Sequence, residues 1–190
     1  MTTSLRWRIV SLQVILVLTL GFCAGFAFWA SSFVNGMVHD QLVAQQISFP
    51  PASEIKTGGA LDPGEFPAEI RNYAGQQVDN GDKARVYAND FIGIHLDKVA
   101  GGKTYSQVSA ASLADPKNTT LQNQANTLFK GETLRGLLLY AWGWSQVGLY
   151  ALYAAIALTI ATIAVFATLV FEVVLAARSL RATSPQPIPA

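Results

Sequence analysis

The chain carries a long apolar stretch near each end, and about a hundred residues of mixed polarity lie between the two. Charged side chains are absent from residues 9–38 and again from residues 136–171. Each stretch exceeds the ~20 residues that a helix needs to cross a bilayer core of about 30 Å. The pattern therefore predicts transmembrane helices at residues 9–34 and 147–171, with residues 136–146 as an interfacial segment between the second helix and the central region.

The distribution of charged residues predicts how the two helices are oriented in the membrane. The net charge is only +1, but Arg6 and Arg8 precede the first stretch, and Arg178 and Arg181 follow the second. Between the stretches, nine Lys and Arg face eleven Asp and Glu. Positive flanks stay in the cytoplasm. We therefore expect a plasma-membrane protein with cytoplasmic ends at residues 1–8 and 172–190 and an extracytoplasmic domain at residues 35–135. The proline-rich end after Arg181 is too short to fold.

A cleaved signal peptide is the alternative interpretation of the first stretch. The apolar part of a signal peptide spans only 7–15 residues, and this stretch is about twice as long. We therefore expect an uncleaved anchor. Cys23 is the only cysteine, so no disulfide within the chain can stabilise the extracytoplasmic domain.

Within the central region, the apolar spacing predicts an all-α domain. The first helix continues to about Gln46, and a connector rich in Pro and Gly follows over residues 48–67. A second helix begins near Asp79 and ends at Gly101, with its apolar face on Tyr87, Phe91 and Ile94. Three further signals concern the rest of the region: a capping box at Thr104 and Gln107, a helix start at Asp115 and Pro116, and a candidate kink at Gly131.

Two sets of small residues are candidates for packing between membrane helices. Gly21 and Gly25 form a GxxxG spacing, which lets helix backbones approach closely. In the second helix, small side chains recur in a stripe that includes Ala157, Ala161 and Ala164.

Residues that carry chemistry are few. His39 and His95 are the only histidines, and an iron site would need both together with an acidic residue. The segment from Gly101 to Thr104 lacks the leading glycine of a phosphate-binding loop. We expect no catalytic residue, no metal, no cofactor and no nucleic-acid partner. Glu172 lies at the inner membrane boundary, where a carboxylate is either functional or solvated at the headgroup level.

The most unusual patch lies at the outer end of the second apolar stretch. Charged residues there adjoin a large apolar and aromatic surface, which we call the docking surface: Glu132, Arg135, Tyr140, Trp142 and Trp144. Such a surface is covered either by lipid or by another membrane protein.

Three segments resemble a family of small actinobacterial membrane proteins with two transmembrane helices: DKARVYANDFIGIH (82–95), GKTYSQVS (102–109) and LFKGETLRGLLL (128–139). Members of that family are often described as similar to the small subunit of aromatic ring-opening dioxygenases. The resemblance covers residues 5–180. In ring-opening enzymes the iron ligands come from the large subunit, so the resemblance implies no catalytic residue in this chain.

Three functions follow as hypotheses. The first is a non-catalytic accessory subunit of a larger membrane complex, of which a respiratory supercomplex is one concrete case; its partners would be the lipid bilayer and other integral membrane subunits. The second is an extracytoplasmic sensor or ligand-binding module with a pocket near Tyr87, Phe91 and Tyr105. The third is the dioxygenase that the family description suggests.

Overall fold

The computed structural model describes residues 3–182, and side chains from Ser4 to Arg178. The predicted unstructured end at residues 183–190 lies outside the described residues. Over the described range the chain is helical, as predicted, and its only β-type pairing is an isolated bridge between Ser48 and Gln77. The helices are α1 (Thr3–Ala44), α2 (Ala68–Arg71), α3 (Gly81–Val86), α4 (Ile94–Ala100), α5 (Tyr105–Ala114) and α6 (Thr119–Ala182), with a 3₁₀ turn at Ala52–Glu54 and a π-helix at Tyr87–Gly93.

The chain forms two compact units. The helix-pair unit comprises Met1–Ser31 and Leu149–Ala190, and the globular unit comprises Ser32–Gly148. The helices α1 and α6 each contribute a segment to both units. Both helices are long enough and apolar enough to cross a membrane, and few of their most apolar residues are buried within the protein.

In the helix-pair unit, α1 and α6 run antiparallel. Gln13 Nε2 donates a hydrogen bond to Thr168 Oγ1 at 3.4 Å, and a Cβ on Gly21 would lie 3.8 Å from Thr162 Cγ2. Among the described residues of this unit, the three buried side chains are small: Ala24, Ser31 and Ala155. Small side chains at the contact allow the two backbones to approach each other.

The globular unit has a continuous apolar core. Leu61, Ile70 and Val78 are completely buried, and Leu128 and Leu138 of α6 pack into the same cluster. The connector at residues 48–67 contributes Phe49 and Phe66 to this core. The segment that the sequence indicated as irregular therefore packs across the core, although it forms only the 3₁₀ turn.

Helix caps follow the predicted signals in two of three cases. Asn80 accepts a hydrogen bond from Lys83 N at the start of α3, and both bonds of the capping box at Thr104 and Gln107 are present. The predicted helix start at Asp115 is wrong. Asp115 ends α5, and Asn118 accepts from Leu121 N to cap α6 three residues later.

The π-helix was not predicted, and it changes which residues share a face. Besides Val86, the buried hydrophobic residues from α3 through α4 recur at every fourth position: Ala84, Ala88, Ile92, Leu96 and Ala100. In a regular α-helix each four-residue step turns by about 40° around the axis, so such a row would wind away from the core. The wider π turn, with its i→i+5 hydrogen bonds, brings the row back to one face. The rings of Tyr87, Phe91 and His95 lie side by side along this stretch, and Tyr87, Phe91 and Ile94 all pack against the core, as predicted.

Glycines bring helices into close contact within the globular unit. The helix α6 is continuous through Gly131, where a Cβ would overlap the Leu96 side chain. At Gly81 a Cβ would overlap Ser145, and at Gly148 it would lie 2.8 Å from Asn35 Oδ1. Gly131 therefore serves the packing of α4 on α6.

Candidate docking surface and adjacent groove

The length of α6 determines where the docking surface lies. Its charge-free run at residues 136–171 would extend about 54 Å at 1.5 Å per residue, against about 30 Å for a bilayer core. The residues at its N-terminal end include Leu137, Tyr140 and Val147, which are 63%, 65% and 50% exposed. A large apolar surface thus remains uncovered by the described chain.

The predicted docking residues divide into two groups. Tyr140 and Trp144 are exposed and form an edge-to-face pair with 6.2 Å between ring centroids. Glu132 is also exposed, while Arg135 and Trp142 are half-buried. The Trp142 backbone faces α3, since its Cα would lie 3.3 Å from a Cβ on Gly81. Tyr140 and Trp144 are therefore the members most accessible to a partner.

Arg135 connects α6 to the π-helix. Its Nη2 donates to Asn89 Oδ1 at 3.1 Å, and its Nη1 contacts Glu132 Oε2 at 3.3 Å. The guanidinium lies beside Gly93, where a Cβ would be 3.6 Å from Nε. The Nε itself is buried and makes no hydrogen bond among the described residues. Arg135 thus holds two elements of the globular unit together, a role that the sequence did not indicate.

An apolar groove lies beside the docking surface. It has a volume of about 560 Å³. The C-terminal part of α1 forms one wall with Met37, Val38, Gln41, Leu42 and Gln45, and α6 forms the other with Leu134, Leu137, Leu138, Tyr140, Ala141 and Trp144; Ile47 completes the lining. Val38, Leu42 and Leu138 are core residues, so the floor of the groove is the hydrophobic core itself. No charged residue lines it.

The groove was not predicted from the sequence. Its α6 wall shares Tyr140 and Trp144 with the docking surface, but its α1 wall comes from a helix about a hundred residues earlier. One signal was present: Met37, Gln41 and Gln45 recur at every fourth position without a charge, while the charged or titratable residues His39 and Asp40 fall between them.

The aromatic residues suggested for a ligand pocket are packed against other rings instead. Tyr87 lies 4.9 Å from Phe91 and 5.2 Å from Phe49 between ring centroids. Burial raises the pKa of the Tyr87 hydroxyl. The rings of Tyr105 and Phe129 are tilted against each other, with 5.9 Å between their centroids. Both residues line a separate depression of about 390 Å³ between α5 and α6.

The two histidines bond to backbone carbonyls. His39 Nδ1 lies 2.9 Å from Asp79 O, and His95 Nδ1 lies 2.8 Å from Phe91 O. Among the described residues, no three His, Cys, Asp or Glu side chains lie close enough to share a metal ion.

Only some of the small residues predicted to pack helices lie at a helix contact. Gly21 lies against Thr162, but a Cβ on Gly25 would meet nothing within 4 Å. Ala157 and Ala164 are exposed and Ala161 is half-buried. The completely buried alanine of this helix is Ala155, which the predicted stripe omits.

Comparison with models of protein families, with curated proteins and with solved structures found no match.

Proposed function

We propose that this protein is a non-catalytic accessory subunit of a larger membrane complex, with both termini in the cytoplasm and the globular unit outside. The observation that carries the proposal is the exposed apolar and aromatic surface on α6. Leu137 and Tyr140 are both more than half exposed, and a soluble monomer rarely leaves a contiguous surface of this kind uncovered.

The composition of the surface supports a protein partner. Tyr and Trp dominate the energetic centres of protein interfaces, and both are present here. Glu132 at the edge is exposed and supplies a polar rim of the kind that surrounds such a centre. A respiratory supercomplex is one candidate for the assembly, on the grounds of its many integral membrane subunits.

Affinity purification tests the proposal. The tagged chain is extracted in a mild detergent, and co-purifying integral membrane proteins are quantified by mass spectrometry. We expect partners at a fixed stoichiometry, lost by at least tenfold in the double variant Tyr140→Ala and Trp144→Ala. The matched control is Phe129→Ala, an aromatic residue of the same helix that is 56% exposed and lies outside the docking surface. Equal partner yields from all three proteins would contradict the proposal.

The groove favours a second candidate, an extracytoplasmic ligand-binding module. Its volume falls in the range of small-molecule sites, and its lining is apolar with two amide side chains. A chain that purifies without any protein partner but with a stoichiometric small molecule would favour this alternative. The dioxygenase alternative predicts about one iron per chain in the same sample.

A further inference from the structure

We propose that the groove between α1 and α6 in the globular unit binds an acyl chain of a membrane phospholipid. The proposal rests on the membrane insertion of both helices that was proposed above, and it does not depend on a protein partner.

The chemistry of the lining selects an apolar, uncharged occupant. Twelve residues line the groove, and none is charged. Gln41 and Gln45 are the only side chains with amide groups, and both lie on the exposed face of α1. A charged peptide or a nucleotide would lose its hydration on this surface without gaining an ion pair. An acyl chain has no hydration of that kind to lose, and it covers apolar lining that would otherwise face water.

The dimensions fit part of one chain. The α1 wall extends from Met37 to Gln45 and the α6 wall from Leu134 to Trp144, which correspond to about 12 Å and 15 Å of helix. A methylene needs about the volume of a water molecule, about 30 Å³, so a volume of about 560 Å³ is ample for the segment of one chain that extends along these walls. The groove is thus long enough and wide enough to hold one stretch of an acyl chain between the two helices.

The groove is also continuous with membrane-spanning sequence. The charge-free run of α1 ends at Val38 and that of α6 begins at Gly136, and both limits fall among the groove residues. No charged position therefore separates the groove walls from the predicted spans. A lipid tail from the outer leaflet can enter between the helices without crossing a charged surface. This access favours a phospholipid over a water-soluble ligand.

Photocrosslinking tests the site. The full chain is reconstituted in phosphatidylcholine vesicles that contain a phosphatidylcholine with a diazirine at the end of one acyl chain. The crosslinked residues are then mapped by mass spectrometry. An ordinary bilayer lipid places the diazirine near the membrane centre, so it labels only residues in the middle of the spans at 9–34 and 147–171. We expect additional labelling of the groove walls, at residues 37–45 and 134–144.

Two variants define the result. Leu137→Glu places a charge on an exposed residue of the groove wall, and we expect it to reduce labelling of the walls at least fivefold. Phe129→Glu places the same charge on an exposed residue of α6 outside the groove and should leave that labelling unchanged. Labelling of the spans without the groove would overturn the acyl-chain site and leave membrane insertion intact. A wild-type pattern in Leu137→Glu would also overturn the site. The absence of all labelling would overturn the insertion itself.

Discussion

The two units contain segments of the same two helices, yet large apolar side chains are exposed in one unit and buried in the other. In the helix-pair unit, large residues point outward: Trp7, Leu18 and Phe22 are 68%, 67% and 75% exposed. In the globular unit, Leu61, Ile70 and Val78 are completely buried, and the ion pairs Lys98–Glu65 and Arg85–Glu69 lie at the surface. The first arrangement is compatible with an apolar solvent such as a membrane, and the second is typical of a protein surface in water. The same helix can therefore serve two environments when its apolar face changes direction along its length.

The largest test of this contrast compares leucines in the two units. Leu128 is 2% exposed in the globular core, so Leu128→Ala should reduce the free energy of unfolding by about 2–5 kcal/mol. Leu18→Ala in the helix-pair unit should change it by less than about 0.5 kcal/mol, because the side chain contacts solvent or detergent in both states. Thermal unfolding in detergent, followed by near-ultraviolet circular dichroism, measures both. Similar losses in the two variants would break the distinction between the units.

A pair of glycines on α6 sharpens the contrast within the globular unit. Gly131→Ala forces a Cβ into the Leu96 side chain, and such overpacking costs about 1–3 kcal/mol. Gly136→Ala, five residues later, meets nothing within 4 Å and should stabilise the helix by up to about 1 kcal/mol. The same unfolding measurement distinguishes the signs. A stabilising Gly131→Ala would show that α4 does not pack closely on α6.

Part of this architecture follows from sequence alone. Long helices over the charge-free runs, a helix start near Asp79 and the Thr104–Gln107 capping box are predicted from local signals, and the structure contains all three. The π-helix is harder to predict, because three of the five buried residues that recur at every fourth position are alanines, which give a weak apolar signal. The groove depends on the register of α1 against α6, which no local pattern fixes. The sequence therefore predicts which helices form more readily than which of their faces meet.

A substitution of Arg135 tests whether the hydrogen bond from α6 stabilises the π-helix. Arg135→Ala removes the hydrogen bond to Asn89, and we expect a loss of about 1 kcal/mol, below the range of about 1.5–3 kcal/mol for a charged donor because the side chain is half-exposed. Amide hydrogen exchange over residues 87–93 should accelerate about fivefold. Lys130→Ala removes an exposed cation from the same helix and serves as the control. Unchanged exchange in Arg135→Ala would mean that the core residues alone hold the π-helix.

Two aspartates of the globular unit should give opposite dependences on pH. Burial, and secondarily the nearby Glu69, raise the pKa of the Asp90 carboxyl, with Arg85 acting in the other direction. The folded state then binds more protons than the unfolded state, so this residue lowers stability as pH rises above about 3.9. Asp90→Asn should remove that loss and raise the stability at pH 7 relative to pH 4.

Asp62 provides the opposite sign. Hydrogen bonds from the Gly58 and Gly64 amides lower the pKa of its carboxyl, so its contribution is present above about pH 3.9 and disappears as pH falls through the folded value. Asp62→Asn should therefore lower stability at pH 7 and flatten the acid side of the profile. Unfolding temperatures of both variants between pH 3 and pH 7 test the two signs. Profiles that shift in the same direction would contradict one of the two assignments.

The smallest effect concerns the polar contact in the helix-pair unit. The hydrogen bond from Gln13 to Thr168 is long, at 3.4 Å, and Gln13 Oε1 is buried without a hydrogen-bond partner among the described residues. Hydrogen bonds between membrane helices average about 0.6 kcal/mol in double-mutant cycles. A cycle of Gln13→Leu and Thr168→Val, measured by unfolding in mixed micelles, should give a coupling of that order or less. A coupling above about 2 kcal/mol would mean that a polar contact organises this unit. The helix-pair unit would then depend on specific polar bonds, as the globular unit does. We expect instead that contacts between small residues are enough to hold α1 and α6 together.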